Sequence, residues 1–383
     1  MKWVTNWSNA ISIVDAKPEG YAKDITLRYP ILSVFDGNKI RIQLDNFTGN
    51  EKVHIEKVTI AKTVNEQDID ASTLKTITFH NQASVNIEAN QSIQSDEIEY
   101  DCKRNEKFSI SLYISKVTSM RSGITTMGPL SKAYFSLGNQ CEIDHLDINT
   151  TTETEWFYFL NQVDIYTDDQ AKAILCFGDS ITARAWPEHL QRYLLKHYPN
   201  VSSVRKAISG SRVLREYSCL TYEKYGYKSE TRFKHEANLS GCDTVIILQG
   251  VNDIIHPVGE DVNPFRPISD LPTVGELIDG YRVLIKLAHD KGMKVYLGTI
   301  LPFKNWRTYA PFREDIRQLV NSWIRTTNEI DGYIDFDQAM KNPKDEFCLV
   351  SDYDNGDHLH PSNTGAKQMA KTALKALERY GVL

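Results

Sequence analysis

Apolar and polar residues alternate with period two through much of residues 1–150. Ile40, Ile42 and Leu44 alternate with polar neighbours in KIRIQLD, and Phe108, Ile110, Leu112 and Ile114 do so in KFSISLYIS. Val53, Ile55, Val58 and Ile60 follow the same rule with one slip, which predicts a bulge. A period of two marks strands with one buried face. Asp36-Gly37-Asn38 stands between ILSVF and KIRIQL, and predicts a hairpin turn because Gly and Asn tolerate positive φ. Several short strands with no helical stretch among them predict a β-sandwich of jelly-roll type over 1–150. The polar run 149–155 is the boundary candidate, and 151–170 is expected to connect two domains.

From 171 to 383 the period changes. The apolar runs AILCF, VRKAIS, TVIILQG, KVYLGTI and GYIDF alternate with segments of helical spacing. One helical face is predicted from Val274, Leu277, Ile278, Tyr281, Leu284, Ile285 and Ala288, and another from Phe312, Ile316, Leu319, Val320, Trp323 and Ile324. A third runs through Ala366, Met369, Ala370, Ala373, Leu374 and Leu377, with Gly381 placed to end it. Apolar strands alternating with helices predict an α/β domain, a parallel sheet covered on both sides. Right-handed crossovers put the strand-to-helix loops on one edge, where such sheets bind ligands.

Four short motifs fall on that edge. Ser180 follows the first strand in Gly178-Asp179-Ser180-Ile181, Gly210 the second in Ile208-Ser209-Gly210-Ser211-Arg212, and Asn252 the third in Gly250-Val251-Asn252-Asp253. Asp357-His358-Leu359-His360 precedes the last helix. A serine hydroxyl is a poor nucleophile until a base takes its proton. His360 is the candidate base, and Asp357, three residues before it, the carboxylate that fixes the tautomer. The backbone N–H groups of Ser180 and Gly210 and the Asn252 amide are candidate oxyanion donors. Asp179 and Asp253 read as loop braces, and His358 as a solvated loop residue.

Composition narrows the choice of partner. The 383 residues are 41% hydrophobic and 25% charged, with a formal net charge of −6. That balance speaks against nucleic acid or an anionic membrane as partner. No apolar run is long enough to span a bilayer. MKWVTNWSNAISIVD lacks the apolar core of a signal peptide, and the six scattered cysteines form no C-x-x-C pair, so a cytoplasmic location is expected. No cofactor or metal is called for. The acidic loop 351–358 has some look of a calcium site, but it lacks the closing glutamate. Aromatic and basic residues gather after the second and fourth strands, in 211–235 and 301–313. From these Arg212, Tyr217, Trp306 and Tyr309 are candidate substrate contacts, since rings with polar tips suit sugar faces and acyl groups.

GDSI, the glycine of ISGSR, GVND and DHLH resemble the four blocks of the SGNH (GDSL-type) hydrolases, over about 155 to 383. The resemblance implies a flavodoxin-like three-layer α/β/α domain. It also implies that Ser180, Gly210, Asn252 and His360 are the four named residues, with Asp357 the third triad member. RIQLDNFTG, FYFLNQVDIY and GDHLHP are similar to a bacterial esterase subgroup with a preceding β domain, which has xylan- and aryl-esterase-like members. The expected function is a serine esterase for short acyl groups, acetyl foremost, on a small-molecule or oligosaccharide alcohol. A broad arylesterase or a lysophospholipase/thioesterase is the enzymatic alternative. A carbohydrate-binding protein with an inactive hydrolase domain is the alternative of another class.

Overall fold

The computed structural model describes residues 1–14 and 20–383. The chain divides into two compact units. The first comprises Met1–Ala173 with Leu195–Val204 and Leu239–Gly241; the second comprises Ile174–Leu194, Arg205–Asn238 and Cys242–Leu383.

The first unit is β-rich. One of its sheets orders the strands Lys2–Ser8, Leu160–Thr167, Gly37–Asp45 and Ser92–Gln94, with Ile98–Cys102 also on Gly37–Asp45. Another places Lys107–Ile114 between Ile25–Leu32 and Lys57–Asn65. The expected alternation is present, and Ile40, Ile42 and Leu44 are all buried. Lys107–Ile114, however, buries both faces. Ser111 Oγ accepts from the Arg28 guanidinium at 3.0 Å, and Ser109 Oγ lies 2.8 Å from Thr63 Oγ1. Hydroxyls are tolerated there because each has a partner.

Three expectations change. Asp36-Gly37-Asn38 does not close a hairpin, because Ile25–Leu32 and Gly37–Asp45 belong to different sheets. Glycine is needed at 37 for close approach. A Cβ there would stand 2.3 Å from Ile165 Cγ2 and 2.7 Å from the Tyr166 carbonyl oxygen. The slip between Ile55 and Val58 is a break rather than a bulge, since Val53–Ile55 pairs with Val85–Ile87 while Lys57–Asn65 pairs with Lys107–Ile114. Residues 151–170 are not a connection. Leu160–Thr167 pairs antiparallel with both Lys2–Ser8 and Gly37–Asp45, so it is an interior strand of the β-rich unit.

A further sheet comprises β1 (Lys172–Gly178), β2 (Val201–Ala207), β3 (Cys242–Leu248), β4 (Lys294–Gly298) and β5 (Gly332–Ile334). Their order in space is β2-β1-β3-β4-β5. β3–β4 and β4–β5 pair in parallel. The chain steps from β1 outward to β2 and then back past β1 to β3. The edge between β1 and β3 is therefore the topological switch point, where sheets of this kind bind ligands.

Among the described residues, eight α-helices accompany the sheet: α1 (Ser180–Ala183), α2 (Trp186–His197), α3 (Ser229–Glu236), α4 (Val251–Ile255), α5 (Val274–Asp290), α6 (Pro311–Thr326), α7 (Phe336–Met340) and α8 (Asn363–Arg379). α5 opens on a Thr273–Glu276 capping box and buries Leu277, Tyr281, Leu284, Ile285 and Ala288. α8 buries Ala366, Met369, Ala370, Ala373 and Leu377, and Gly381 (φ +66°) ends it.

α6 buries only part of the apolar face that its spacing predicts. Phe312 is 49% and Leu319 57% exposed, while Arg313, Glu314, Arg317 and Asn321 are buried beside Val320 and Ile324. Burial of these polar groups follows from their pairing. Arg317 bonds Glu314 and Asp337, and Asn321 holds both the N–H and the carbonyl of Ile300. None of the described helices is long and apolar enough to cross a membrane.

Candidate active site

β1 is apolar from Ala173 to Phe177 and ends at Gly178. Asp179 then caps α1, its carboxylate accepting from the Ile181 N–H at 3.0 Å. Ser180 is the first residue of α1. That helix is a single turn that stops at Arg184, so its dipole is small. The Asp179 carboxyl is fully buried, and burial pushes it up to about 7 against the N–H of Ile181.

The loop before α8 brings the other two groups to Ser180. His360 Nε2 lies 2.8 Å from Ser180 Oγ, and His360 Nδ1 lies 2.7 Å from Asp357 Oδ2. A carboxylate can only accept, so Nδ1 carries the hydrogen and Nε2 accepts from the serine hydroxyl. Asp357 Oδ1 also accepts from the N–H groups of Leu359 and His360, which fixes the turn that spaces the pair. His360 is held below the ordinary imidazole range, first by burial and then by the Arg184 charge, with Asp357 acting against both. For Asp357 burial acts upward, but the N–H and ring of His360 outweigh it and hold the carboxyl low. His358 faces elsewhere: its Nδ1 lies 2.7 Å from Asp354 Oδ2. Asp354 Oδ1 accepts from the N–H groups of Gly356 and His358, so this carboxylate is engaged within its own loop.

Gly210 follows β2 with φ +83°, and a Cβ there would lie 2.2 Å from Cδ1 of Tyr225. Both the backbone angle and the ring packed against it demand glycine. Asn252 begins its helix one residue in, and its amide donates to the Ser211 carbonyl at 3.0 Å. Among the described residues, no acceptor takes the N–H of Ser180 or of Gly210. Asp253 braces the same region by accepting from the N–H groups of Val213 and Leu214 at 2.8 and 3.0 Å. Burial raises its carboxyl to about 6 despite those bonds and the Arg212 charge.

The four candidate substrate contacts divide. Trp306 is half-buried, and its ring stands edge-on to His360 with centroids 6.3 Å apart. Tyr217 lies in a ring cluster with Tyr222, Tyr225 and His256, its hydroxyl 2.9 Å from His256 Nδ1. Burial, with the charges of Arg266, Arg212 and Arg307, drives His256 well below the ordinary imidazole range. Arg212 is not positioned as a substrate arm. It is 3% exposed, pairs with Asp270 at 2.9 Å and covers the Tyr217 ring at 4.1 Å. Tyr309 packs edge-on against the fully buried Phe303 at 5.7 Å. The aromatic and basic stretch 211–235 contains a 3-10 turn, Leu220–Tyr225. It then enters α3, whose Arg232 and Phe233 are buried.

The model of the GDSL-like lipase/acylhydrolase family matches residues 176–368, just over half of the chain and a span that contains Ser180, Gly210, Asn252, Asp357 and His360. The chain belongs to that family. Among solved structures it resembles an acetylxylan esterase, Axe2, from Geobacillus stearothermophilus. That likeness has 19% identity over 54% of this chain and 94% of that one, with a TM-score of 0.40. It also resembles a GDSL-like lipase from Bacteroides thetaiotaomicron, with 22% identity, 54% and 88% coverage and a TM-score of 0.35. A third is a putative acylhydrolase from Bacteroides fragilis, with 20% identity, 55% and 89% coverage and a TM-score of 0.38. No curated protein matches the chain.

Within the family's matched region, sequence reasoning passed over Ser211, Arg232 and Gln249, which are buried around the Gly210 turn. Only Ser211 lies beside a motif. An arginine in a mostly polar helix gives no sign that it is interior, because arginine is rarely fully buried.

Proposed function

We propose that this family member is a serine esterase that removes short acyl groups, acetyl foremost, from a carbohydrate alcohol. The reading takes Ser180 as nucleophile, His360 as base and Asp357 as its orienting carboxylate. The Ser180 hydroxyl attacks the ester carbonyl and its proton passes to His360 Nε2. The oxyanion is held by the N–H of Ser180, the N–H of Gly210 and the second amide hydrogen of Asn252. The tetrahedral intermediate collapses, and His360 returns the proton to the departing alkoxide. Water then attacks the acyl-enzyme, giving a proton to His360, and the ester bond to Ser180 breaks as His360 returns that proton to Ser180 Oγ. The same reading takes the unit as a flavodoxin-like three-layer α/β/α domain and the β-rich unit as an accessory β-sandwich.

The observation that carries the proposal is the pair of contacts at 2.8 and 2.7 Å on the two sides of the His360 ring. The carbohydrate part is supported by Trp306. A ring beside the base lies on the side from which the leaving alcohol departs, and an aromatic face suits a sugar ring.

The test is acetate release from acetylated oligosaccharides, compared with acetate and octanoate esters of p-nitrophenol. Wild-type protein is expected to favour acetate, and Ser180→Ala to abolish turnover while keeping a native circular-dichroism spectrum. Turnover surviving in Ser180→Ala would overturn the nucleophile. Octanoate preferred to acetate would favour the lysophospholipase/thioesterase reading. Sugar binding by a wild type that hydrolyses no ester would favour a binding protein.

A further inference from the structure

Three separate loops supply the oxyanion donors, and nothing in their sequence fixes the distances between them. A buried polar network spans all three. At its centre is Arg232 of α3, whose side chain is fully buried. Its guanidinium has five N–H groups, and each has an acceptor. Nε and Nη2 take the two oxygens of Glu236 at 3.2 and 3.0 Å. Nη1 donates to the Gly178 carbonyl at 3.1 Å and to Ser211 Oγ at 2.8 Å. Nη2 reaches the Lys206 carbonyl at 3.2 Å.

Gly178 is two residues before Ser180, and Ser211 is next to Gly210. One guanidinium nitrogen therefore bonds the first donor loop and the second together. Ser211 extends the link to the third. Its Oγ accepts from Gln249 Nε2 at 3.0 Å, and its carbonyl accepts from the Asn252 amide at 3.0 Å. The Ser229 hydroxyl donates to Gln249 Oε1 at 2.7 Å and the Ser229 N–H donates to the Arg212 carbonyl at 3.1 Å, which closes the ring of contacts back onto α3. Arg232, Ser211, Gln249, Ser229 and Asn252 are all buried.

We infer that Arg232 and Ser211 are positioning residues of the oxyanion hole, setting the spacing of the Ser180, Gly210 and Asn252 donors through a shared guanidinium and hydroxyl. The inference rests on the acyl-transfer reading of the site. The physical reason for such a device is that donors must be in place before charge develops. A displacement of about 1 Å can cost on the order of 10²-fold in rate. Carbonyls and hydroxyls held by a charged donor in a water-free site move less than the same groups held by neutral partners. Glu236 compensates the buried charge, so the clamp carries no unpaired ion into the core.

The deciding variant is Ser211→Ala. It removes the hydroxyl shared by Arg232 and Gln249 and leaves the Ser211 carbonyl in place for Asn252. Arg232→Lys is the second variant, since it keeps a cation for Glu236 but cannot span Gly178 and Ser211 together. Each is measured for kcat and KM on p-nitrophenyl acetate, for inhibition by phenylboronic acid, and for thermal midpoint. A boronate bound to serine mimics the tetrahedral oxyanion, so its affinity reads the donor geometry directly.

For Ser211→Ala we expect kcat to fall between about 10-fold and the roughly 10²-fold of a misplaced group. KM is expected within threefold of wild type, and boronate affinity to weaken by about the same factor as kcat. Arg232→Lys is expected to show the same split. If it does not fold, Ser211→Ala decides alone. Unchanged kcat and boronate affinity in folded Ser211→Ala would overturn the inference. So would a loss of kcat with boronate affinity intact, which would mark a merely structural role. Failure of the underlying reading looks different: wild type would be inactive, or Ser180→Ala would keep its activity.

Discussion

In the proposed mechanism His360 sets how the site responds to pH. As the proposed base it must be neutral to accept the serine proton, and burial with Arg184 nearby holds its imidazole below the ordinary 6.5. The acid limb of kcat/KM is therefore expected below pH 6.5, with activity falling as pH drops through it and flat from there to neutrality. A pH–rate profile on p-nitrophenyl acetate checks this, and a limb above pH 7 would contradict it. Arg184→Gln removes the nearby charge and is expected to shift the limb upward. The two members of the relay also differ in weight. His360→Ala removes the base, on the order of 10⁶-fold in kcat, whereas Asp357→Asn removes only its orientation and charge, on the order of 10⁴-fold. Equal losses in the two variants would contradict that division. At this scale Ser180, Gly210 and Asn252 stood out in the sequence because each follows a strand, and Asp357 and His360, in the loop before α8, because of their spacing in Asp357-His358-Leu359-His360. Arg212 was misread because an arginine beside tyrosines looks the same whether its charge faces a ligand or is spent on Asp270 and the Tyr217 ring.

Among the elements, α6 shows how a helix can be located correctly and yet bury a face only partly the one its apolar spacing predicts. Its span follows from its spacing, but it buries Arg313, Glu314, Arg317 and Asn321 while Phe312 and Leu319 face solvent. Asn321 accepts from the Ile300 N–H at 2.7 Å and donates to the Ile300 carbonyl at 2.8 Å. Asn321→Ala leaves the Ile300 N–H buried without a partner, whereas the carbonyl keeps its bond from Arg317 at 2.9 Å, and the loss is expected to cost about 1–3 kcal/mol. Leu319→Ser, on the exposed face, is expected to stay within about 0.5 kcal/mol of wild type. Urea denaturation of the two variants measures the contrast. A greater loss from Leu319→Ser would restore the apolar face predicted from spacing. Hydropathy ranks residues by their cost in an unpartnered interior, so it cannot foresee a buried face made of polar groups that satisfy one another. The Asp36-Gly37-Asn38 segment has the same lesson. Glycine there serves the approach of Ile165 and Tyr166, distant in sequence, and local turn chemistry gives no sign of that.

At the scale of the whole molecule, the β-rich unit is not contiguous in sequence. Leu160–Thr167 stands between Lys2–Ser8 and Gly37–Asp45, so a fragment ending at residue 150 lacks the strand on which two others depend. Such a fragment is expected to show no cooperative thermal transition by circular dichroism, in contrast to the full chain. A sharp transition in the 1–150 fragment would refute this. The order β2-β1-β3-β4-β5 in turn explains why Ser180, Gly210 and Asn252 meet. They follow the strands on either side of the point where the chain reverses direction across the sheet.

Periodicity determined that a β-rich stretch precedes alternating strands and helices, and the motif residues determined which chemistry the strand ends can support. Both are local, since side-chain alternation and helical spacing depend on neighbours within a few positions. Tertiary structure alone decided what lies between the donors. The Arg232 guanidinium, the Ser211 hydroxyl and the Gln249 amide meet only because α3 and three strand-end loops converge. Buried polar partners are chosen by geometry across long sequence separations, and no pattern along the chain encodes a distance through space.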